Sequence, residues 1–188
     1  MNTQNKTKNI VMAALLTALS MLITFSPFKL PVPPPFSVTL GSHVPTMIAA
    51  FINPWVTIFT VLGSCLGFWM STGNPVIVIR AASHALFAIL GVYMIKNKGF
   101  NIFLVIIATS LAHAVAEGVI AMLLTPILLP NNAAAASVLG WTAGIGTLFH
   151  HYVDCAITAP ILYALSKAKL VKTSITWGRR NKVSVQAS

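Results

Sequence analysis

Six ionisable residues stand four apart in pairs inside apolar stretches: Arg80 with His84, His113 with Glu117, and His150 with Asp154. At that spacing the members of a pair share one face of a helix. Each pair is a polar stripe on a segment otherwise suited to hydrocarbon. An arginine at a bilayer centre costs about 2.5–3.5 kcal/mol even on the lenient insertion scale, so such groups face a partner or a cavity rather than lipid. Glu117 and Asp154 are the chain's only acids, and three of its five histidines belong to the pairs. Gathered in one interior, these groups satisfy one another. Arg80 can pair a carboxylate through its guanidinium fork. Histidine beside a carboxylate can hold a small polar molecule, ligate a metal, move protons as an acid–base pair, or simply pin helices together. The sequence leans to a small-molecule pocket. It lacks an HExxH motif, and its two cysteines, Cys65 and Cys155, each stand alone in an apolar run, so no resident metal or cofactor is expected.

The elements that must carry these pairs are membrane helices. Of 188 residues, 56% are hydrophobic and 7% charged, with a mean hydropathy of +0.84. Soluble domains carry about 25% charged residues. The net charge of +10 would suit nucleic acid, but ten of the twelve Lys and Arg lie at the two ends and in one short loop. That is the pattern of cytoplasmic flanks, and no nucleic-acid partner is expected. One membrane domain over residues 10–166 is expected, between a cytoplasmic N-terminal tail (1–9) and a basic cytoplasmic tail (167–188).

The first apolar run, Ile10 to Phe25, follows Lys6 and Lys8 and reads as a span rather than a cleaved signal, because no small-x-small site follows it. Ser26 to Ser42 holds Pro27, Pro31, Pro33, Pro34 and Pro35. It cannot be helical throughout and reads as an extracellular cap whose Val-Thr-Leu end is extended. His43 to Ile52 is a short second span, broken at Asn53-Pro54. Trp55 to Met70 is the third, with Gly63 and Gly67 as a close-packing pair. The Arg80 span begins at Pro75 and ends at Lys96-Asn-Lys98. Ile102 to Leu129 is the fifth, followed by a loop at Pro130-Asn131-Asn132 and the alanine run, and Val138 to Leu165 is the sixth. With six spans, the N-terminal tail, the Lys96/Lys98 loop and the C-terminal tail share the cytoplasmic side and only Lys29 lies outside, which the positive-inside rule favours.

Depth along these spans brings Arg80, His84, Glu117 and His150 together in the outer half, under the cap. His113 lies nearer mid-bilayer, and Asp154 forms the floor about a turn below His150. His43 is a further candidate, with burial as a satisfied histidine or an interface position as its alternative; His151 reads the same way. Trp69 and Trp141 fall at outer span ends as belt residues, and Trp141 can also stack on a ring in the pocket. Trp55 reads as an inner-interface anchor, and Trp177 as part of a tail that grazes anionic lipid. No Walker A, GxSxG or Rossmann glycine pattern is present, and no inverted repeat is visible. A pocket without an energy source suggests a binding subunit driven by partners rather than an enzyme.

The basic start, the Ala-Ala-Leu-Leu-Thr-Ala motif (Ala13 to Ala18), the Ser42-His43-Val-Pro45 opening of span two and the Arg80-Ala-Ala-Ser-His84 stretch together resemble the substrate-binding S component of an energy-coupling factor (ECF) vitamin transporter, over about Ile10 to Ser166. The resemblance implies an all-α, six-transmembrane-helix bundle that captures a vitamin or precursor near the outer face. It implies docking through Ala14 and Ala18 on a transmembrane coupling protein (T component) carried by two ATPase subunits, and toppling in the bilayer to release substrate. S components for cobalt and nickel typically begin Met-His, whereas this chain begins Met1-Asn2-Thr3, which counts against metal as cargo. Arg80 favours niacin or a similar acid. If Glu117 already neutralises Arg80, a neutral nitrogen heterocycle such as pyridoxine or hydroxymethylpyrimidine is favoured instead. The alternatives are a structural or assembly subunit whose polar pairs only hold the bundle, a metal-ion-binding transporter subunit, and an intramembrane enzyme.

Overall fold

The computed structural model describes residues 3–30, 38–97 and 100–171. Pro31, Pro33, Pro34 and Pro35 of the expected cap, Lys98, and the tail beyond Val171 with Trp177 lie outside the described residues. The described residues form six α-helices: α1 (Thr3–Ile23), α2 (Val44–Ile52), α3 (Pro54–Thr72), α4 (Pro75–Val92), α5 (Ile102–Leu128) and α6 (Ala136–Lys167). A minimal antiparallel pair, β1 (Lys29–Leu30) and β2 (Val38–Thr39), joins α1 to α2. Leucine, isoleucine and phenylalanine side chains such as Leu15, Phe59, Leu86, Leu123 and Phe149 point outward on every long helix, while most threonines, all five histidines and both acids are buried. This inverts the water-soluble arrangement. α1, α3, α4 and α5 are each long and apolar enough to cross a membrane. α6 exceeds them in length at 32 residues, and His150, His151 and Asp154 lower its apolarity. The molecule is a multi-pass membrane protein.

Local signals set the helix boundaries. Pro54 and Pro75 each occupy a first helical position, where a missing N–H costs nothing. The side chains of Asn53, Asn74 and Asn101 accept from the free N–H groups of the first turns of α3, α4 and α5. Gly73 ends α3 in the left-handed conformation, at φ +62°. Two differences from the sequence reading are local. α1 begins within the polar tail, at Thr3. At the other end the capping turn after α6 folds back, so that Val171 is buried against Leu16, Ile48 and Leu162. The alanine run after Pro130 forms a 3-10 turn that leads directly into α6.

Close helix approach is built on glycine. A Cβ at Gly63 would lie 2.6 Å from the Thr17 carbonyl oxygen, and one at Gly67 would lie 2.8 Å from Met21 Cα, so α1 rests directly on α3. Ser20 adds a hydroxyl bond of 2.8 Å to the Thr60 carbonyl. Gly118 and Gly140 bring α5 and α6 together in the same way, which places the His113/Glu117 stripe opposite the His150/Asp154 stripe.

The basic segments gather at one end. Lys8 donates to the Lys169 carbonyl at 3.1 Å, joining the start of α1 to the end of α6. Lys96, after α4, donates to the Ile52 carbonyl at the end of α2. α2 is the exception among the helices. Its nine residues rise about 13.5 Å, roughly half of a 30 Å hydrocarbon core. Ahead of it, β2 and a turn over residues 39–43 are inserted between the helices, with Val38, Thr39, Ser42 and His43 buried. Buried non-helical backbone must find its partners within the protein. The Ser42 and Val44 N–H groups bond within the turn, to Thr39 and Gly41 carbonyls, and those of Gly41 and His43 donate to the Asp154 carboxylate at 2.9 and 3.0 Å.

Candidate functional site

All five histidines and both acids of the chain converge in one buried cluster with Arg80. Its centre is the Glu117 carboxylate, held from α5. Oε2 accepts from Arg80 Nε at 3.2 Å, from the Arg80 terminal guanidinium nitrogen at 2.5 Å, and from the Thr147 hydroxyl at 2.6 Å. Oε1 lies 3.1 Å from His84 Nε2 and 3.4 Å from His113 Nε2. α4 supplies Arg80 and His84 from the same face, as their spacing predicts. Both ends of the ion pair are nearly dry, with about 6% of each side chain exposed, so its electrostatics are those of an interior rather than of a screened surface pair.

Asp154 is the second acidic centre. It takes the two backbone N–H groups of the inserted turn and, on Oδ2, His43 Nδ1 at 2.9 Å, with His150 Nε2 3.1 Å away. His43 links the two centres: its Nε2 lies 3.3 Å from His84 Nε2, and its ring packs edge-on against His84 and His113 with centroids 4.5 Å apart. Asp154 thus holds the inserted turn, and the turn brings His43 to the middle of the bundle.

Arg80, His84, His113 and Glu117 meet directly. His150 faces Asp154 and His43, and also lines the small cavity shared by Val38, Thr39, Arg80, Glu117 and Thr147. Trp141 does not line that cavity; the residue is 69% exposed, on an outward groove with Leu40, Ile145 and Phe149. Ala14 and Ala18 are exposed on α1, away from the face packed on α3. Two further residues join the cluster: His151, which the sequence left as a candidate or a satisfied histidine, and Thr147, which it did not single out. His151 is fully buried, with Nδ1 3.1 Å from His113 Nδ1 and Nε2 3.2 Å from the Thr109 hydroxyl. Thr147 supplies a hydroxyl bond to Glu117. Residues 147, 150, 151 and 154 follow the i, i+3, i+4, i+7 rule of one helix face, and that periodicity was the available signal for both.

The cavity over Glu117 measures about 20 Å³, enough for about one water. A larger, mostly apolar cavity of about 250 Å³ opens between α2, α4, α5 and α6, and reaches the cluster at Phe87 and His151. The Phe87 ring lies 4.4 Å from that of His113 and 5.0 Å from that of His151, between the two cavities.

Among curated proteins, the chain is similar to the niacin transporter NiaX of Lactococcus lactis subsp. cremoris (strain MG1363), with 43% identity over 93 residues. The match covers 49% of this chain and 41% of that protein, so the stretch in common is less than half of the relative's length. No family model and no solved structure matches. The resemblance to vitamin transporters read from the sequence therefore has a counterpart in a curated relative that is a transporter.

Proposed function

We propose that this chain is the substrate-binding S component of an energy-coupling factor importer and that it captures a pyridine-type vitamin, nicotinic acid first among them. The observation that carries the reading is the convergence of Arg80, Glu117 and five histidines in a membrane bundle similar to a niacin transporter. The cluster lies in the half of the bundle away from the basic end, beneath the Val38–His43 segment. With the basic end in the cytoplasm, that segment faces outside and the pocket opens toward the external vitamin. The chain then crosses the bilayer six times, the second crossing being half inserted turn and half α2, with both termini inside.

A cavity of about 20 Å³ does not admit a pyridine ring, so capture requires the Val38–His43 segment to lift. The Arg80–Glu117 pair bears on the choice of vitamin. Because Glu117 already neutralises Arg80, the geometry by itself favours a neutral heterocycle such as pyridoxine or hydroxymethylpyrimidine, whereas the relative favours the acid. The exposed Ala14 and Ala18 face suits close docking of a transmembrane coupling protein with its two ATPase subunits. The tightness of the cavity supports one further reading, that the cluster only holds the bundle.

The test is thermal unfolding of the detergent-solubilised protein with nicotinate, nicotinamide, pyridoxine and hydroxymethylpyrimidine. A ligand at a hundred times its dissociation constant adds about 2.7 kcal/mol of stability. A shift with nicotinate supports the proposal as stated. A shift with pyridoxine or hydroxymethylpyrimidine alone keeps the binding subunit and changes its vitamin. A flat panel overturns the proposal in favour of the structural reading.

A further inference from the structure

The same cluster has the geometry of a transition-metal site, and this goes beyond the vitamin reading and does not depend on it. One ligand atom from each of His43, His84, His113 and Glu117 lies within 4.8 Å of all the others, and all four residues are buried. Three separations among them are 3.3 Å (His43 Nε2 to His84 Nε2), 3.1 Å (His84 Nε2 to Glu117 Oε1) and 3.4 Å (His113 Nε2 to Glu117 Oε1). A tetrahedron with metal–ligand bonds of about 2.0–2.1 Å has edges of about 3.3–3.4 Å. His113 Nε2 is fully buried and aimed at this point, yet makes no hydrogen bond there despite its closeness to Oε1.

The surrounding bonds orient the ligands as a metal requires. His43 Nδ1 is committed to Asp154 and His113 Nδ1 to His151, which turns the Nε2 atom of both rings inward. A carboxylate behind a histidine is the usual outer partner of a metal ligand. Oε2 of Glu117 is occupied by Arg80 and Thr147, leaving Oε1 to face the histidines. Arg80, Glu117 and Asp154 together leave one excess negative charge when the imidazoles are neutral, and a dication suits that sign. Three imidazoles and one carboxylate are the donor set of zinc, cobalt or nickel, not of the hard ions magnesium and calcium.

We propose that His43, His84 and His113, through Nε2, and Glu117, through Oε1, form a binding site for one transition-metal dication. The test uses full-length protein without a polyhistidine tag, purified in detergent and dialysed against chelator. It is titrated with Zn²⁺ by calorimetry and with Co²⁺ by visible absorption. One equivalent is expected to bind, giving the bands of four-coordinate cobalt, with no response to Mg²⁺ or Ca²⁺. His84→Ala and His113→Gln, checked for folding by gel filtration and melting, are expected to weaken binding by at least about 100-fold, and Asp154→Asn by about 10–100-fold. No saturable binding to the parent protein, or binding undiminished in both folded histidine variants, overturns the proposal. No vitamin is present in this measurement, so a flat vitamin panel leaves its outcome untouched.

Discussion

Removing the Glu117 carboxylate tests whether the cluster is as dry as its geometry implies. In Glu117→Ala the guanidinium of Arg80 loses the oxygen that takes two of its N–H groups, the Thr147 hydroxyl loses that same oxygen, and His84 loses the other carboxylate oxygen. With both side chains about 6% exposed, breaking the pair from one side is expected to cost about 3–5 kcal/mol. At about 2–4 °C per kcal/mol for a chain of this size, the melting temperature falls by roughly 6–20 °C. Glu117→Gln keeps the volume and one acceptor, so it should lose less. The double variant Arg80→Met with Glu117→Gln removes both charges at similar volume and should recover most of the loss, because replacing a whole buried pair is often near neutral. Melting of each variant in detergent, followed by circular dichroism, provides the comparison. If Glu117→Ala melts within about 1 kcal/mol of the parent, or the double variant melts below both single variants, the argument from a buried and mutually dependent pair is refuted.

Four other substitutions separate architecture from docking and from topology. Gly63→Leu places a side chain where a Cβ alone would lie 2.6 Å from the Thr17 carbonyl oxygen, so melting should show a loss of about 1–3 kcal/mol or more. Ala14→Trp, on the exposed face of the same α1, should leave melting unchanged and abolish co-purification with a coupling protein; lowered stability would mean that this face is internal. Cysteine introduced at Lys96 should react with impermeant thiol reagents only from the cytoplasmic side, and cysteine at Gly73 only from outside, with Cys65 and Cys155 replaced beforehand. The reverse pattern would invert the bundle.

The polar pairs were legible because their i, i+4 spacing is a property of the helix alone, and α4, α5 and α6 are long apolar runs whose period nothing interrupts. Gly63 and Gly67 were legible for the same reason. The depth of His43 was not. It follows from residues 39–43 entering the bundle as an irregular turn, which the Asp154 carboxylate makes possible from 111 residues away in sequence. No local pattern at His43 announces that partner, and a histidine at the start of a short apolar run reads equally well as an interface residue. Trp141 illustrates the converse limit. Span-end position is read from sequence, but the face is decided by how α6 packs, and Gly140 and Gly144 turn toward α5 while the neighbouring indole points outward. Six apolar runs could be matched to six helices, but the buried irregular turn that precedes α2 depends on the same long-range carboxylate.

The charge of the cluster decides what must enter with an acidic vitamin. Arg80 and the two carboxylates leave one excess negative charge with the imidazoles neutral, and nicotinate would add another in a site that excludes water. Uncompensated charge in such a place is costly, so nicotinate should bind together with a proton or in the presence of a bound dication. Five imidazoles face one another from four elements: His43 from the inserted turn, His84 from α4, His113 from α5, and His150 and His151 from α6. If one proton binds with the anion, nicotinate affinity in chelator-treated protein falls as pH rises, by up to about tenfold per pH unit. Nicotinamide, which brings no charge, should show no such slope, and protein loaded with Zn²⁺ should show a weaker slope for nicotinate. Calorimetry in two buffers of different ionisation enthalpy counts the protons taken up. Nicotinate binding with no proton uptake and no pH slope in metal-free protein would mean that Arg80 leaves Glu117 to meet the vitamin, and the charge argument would fail.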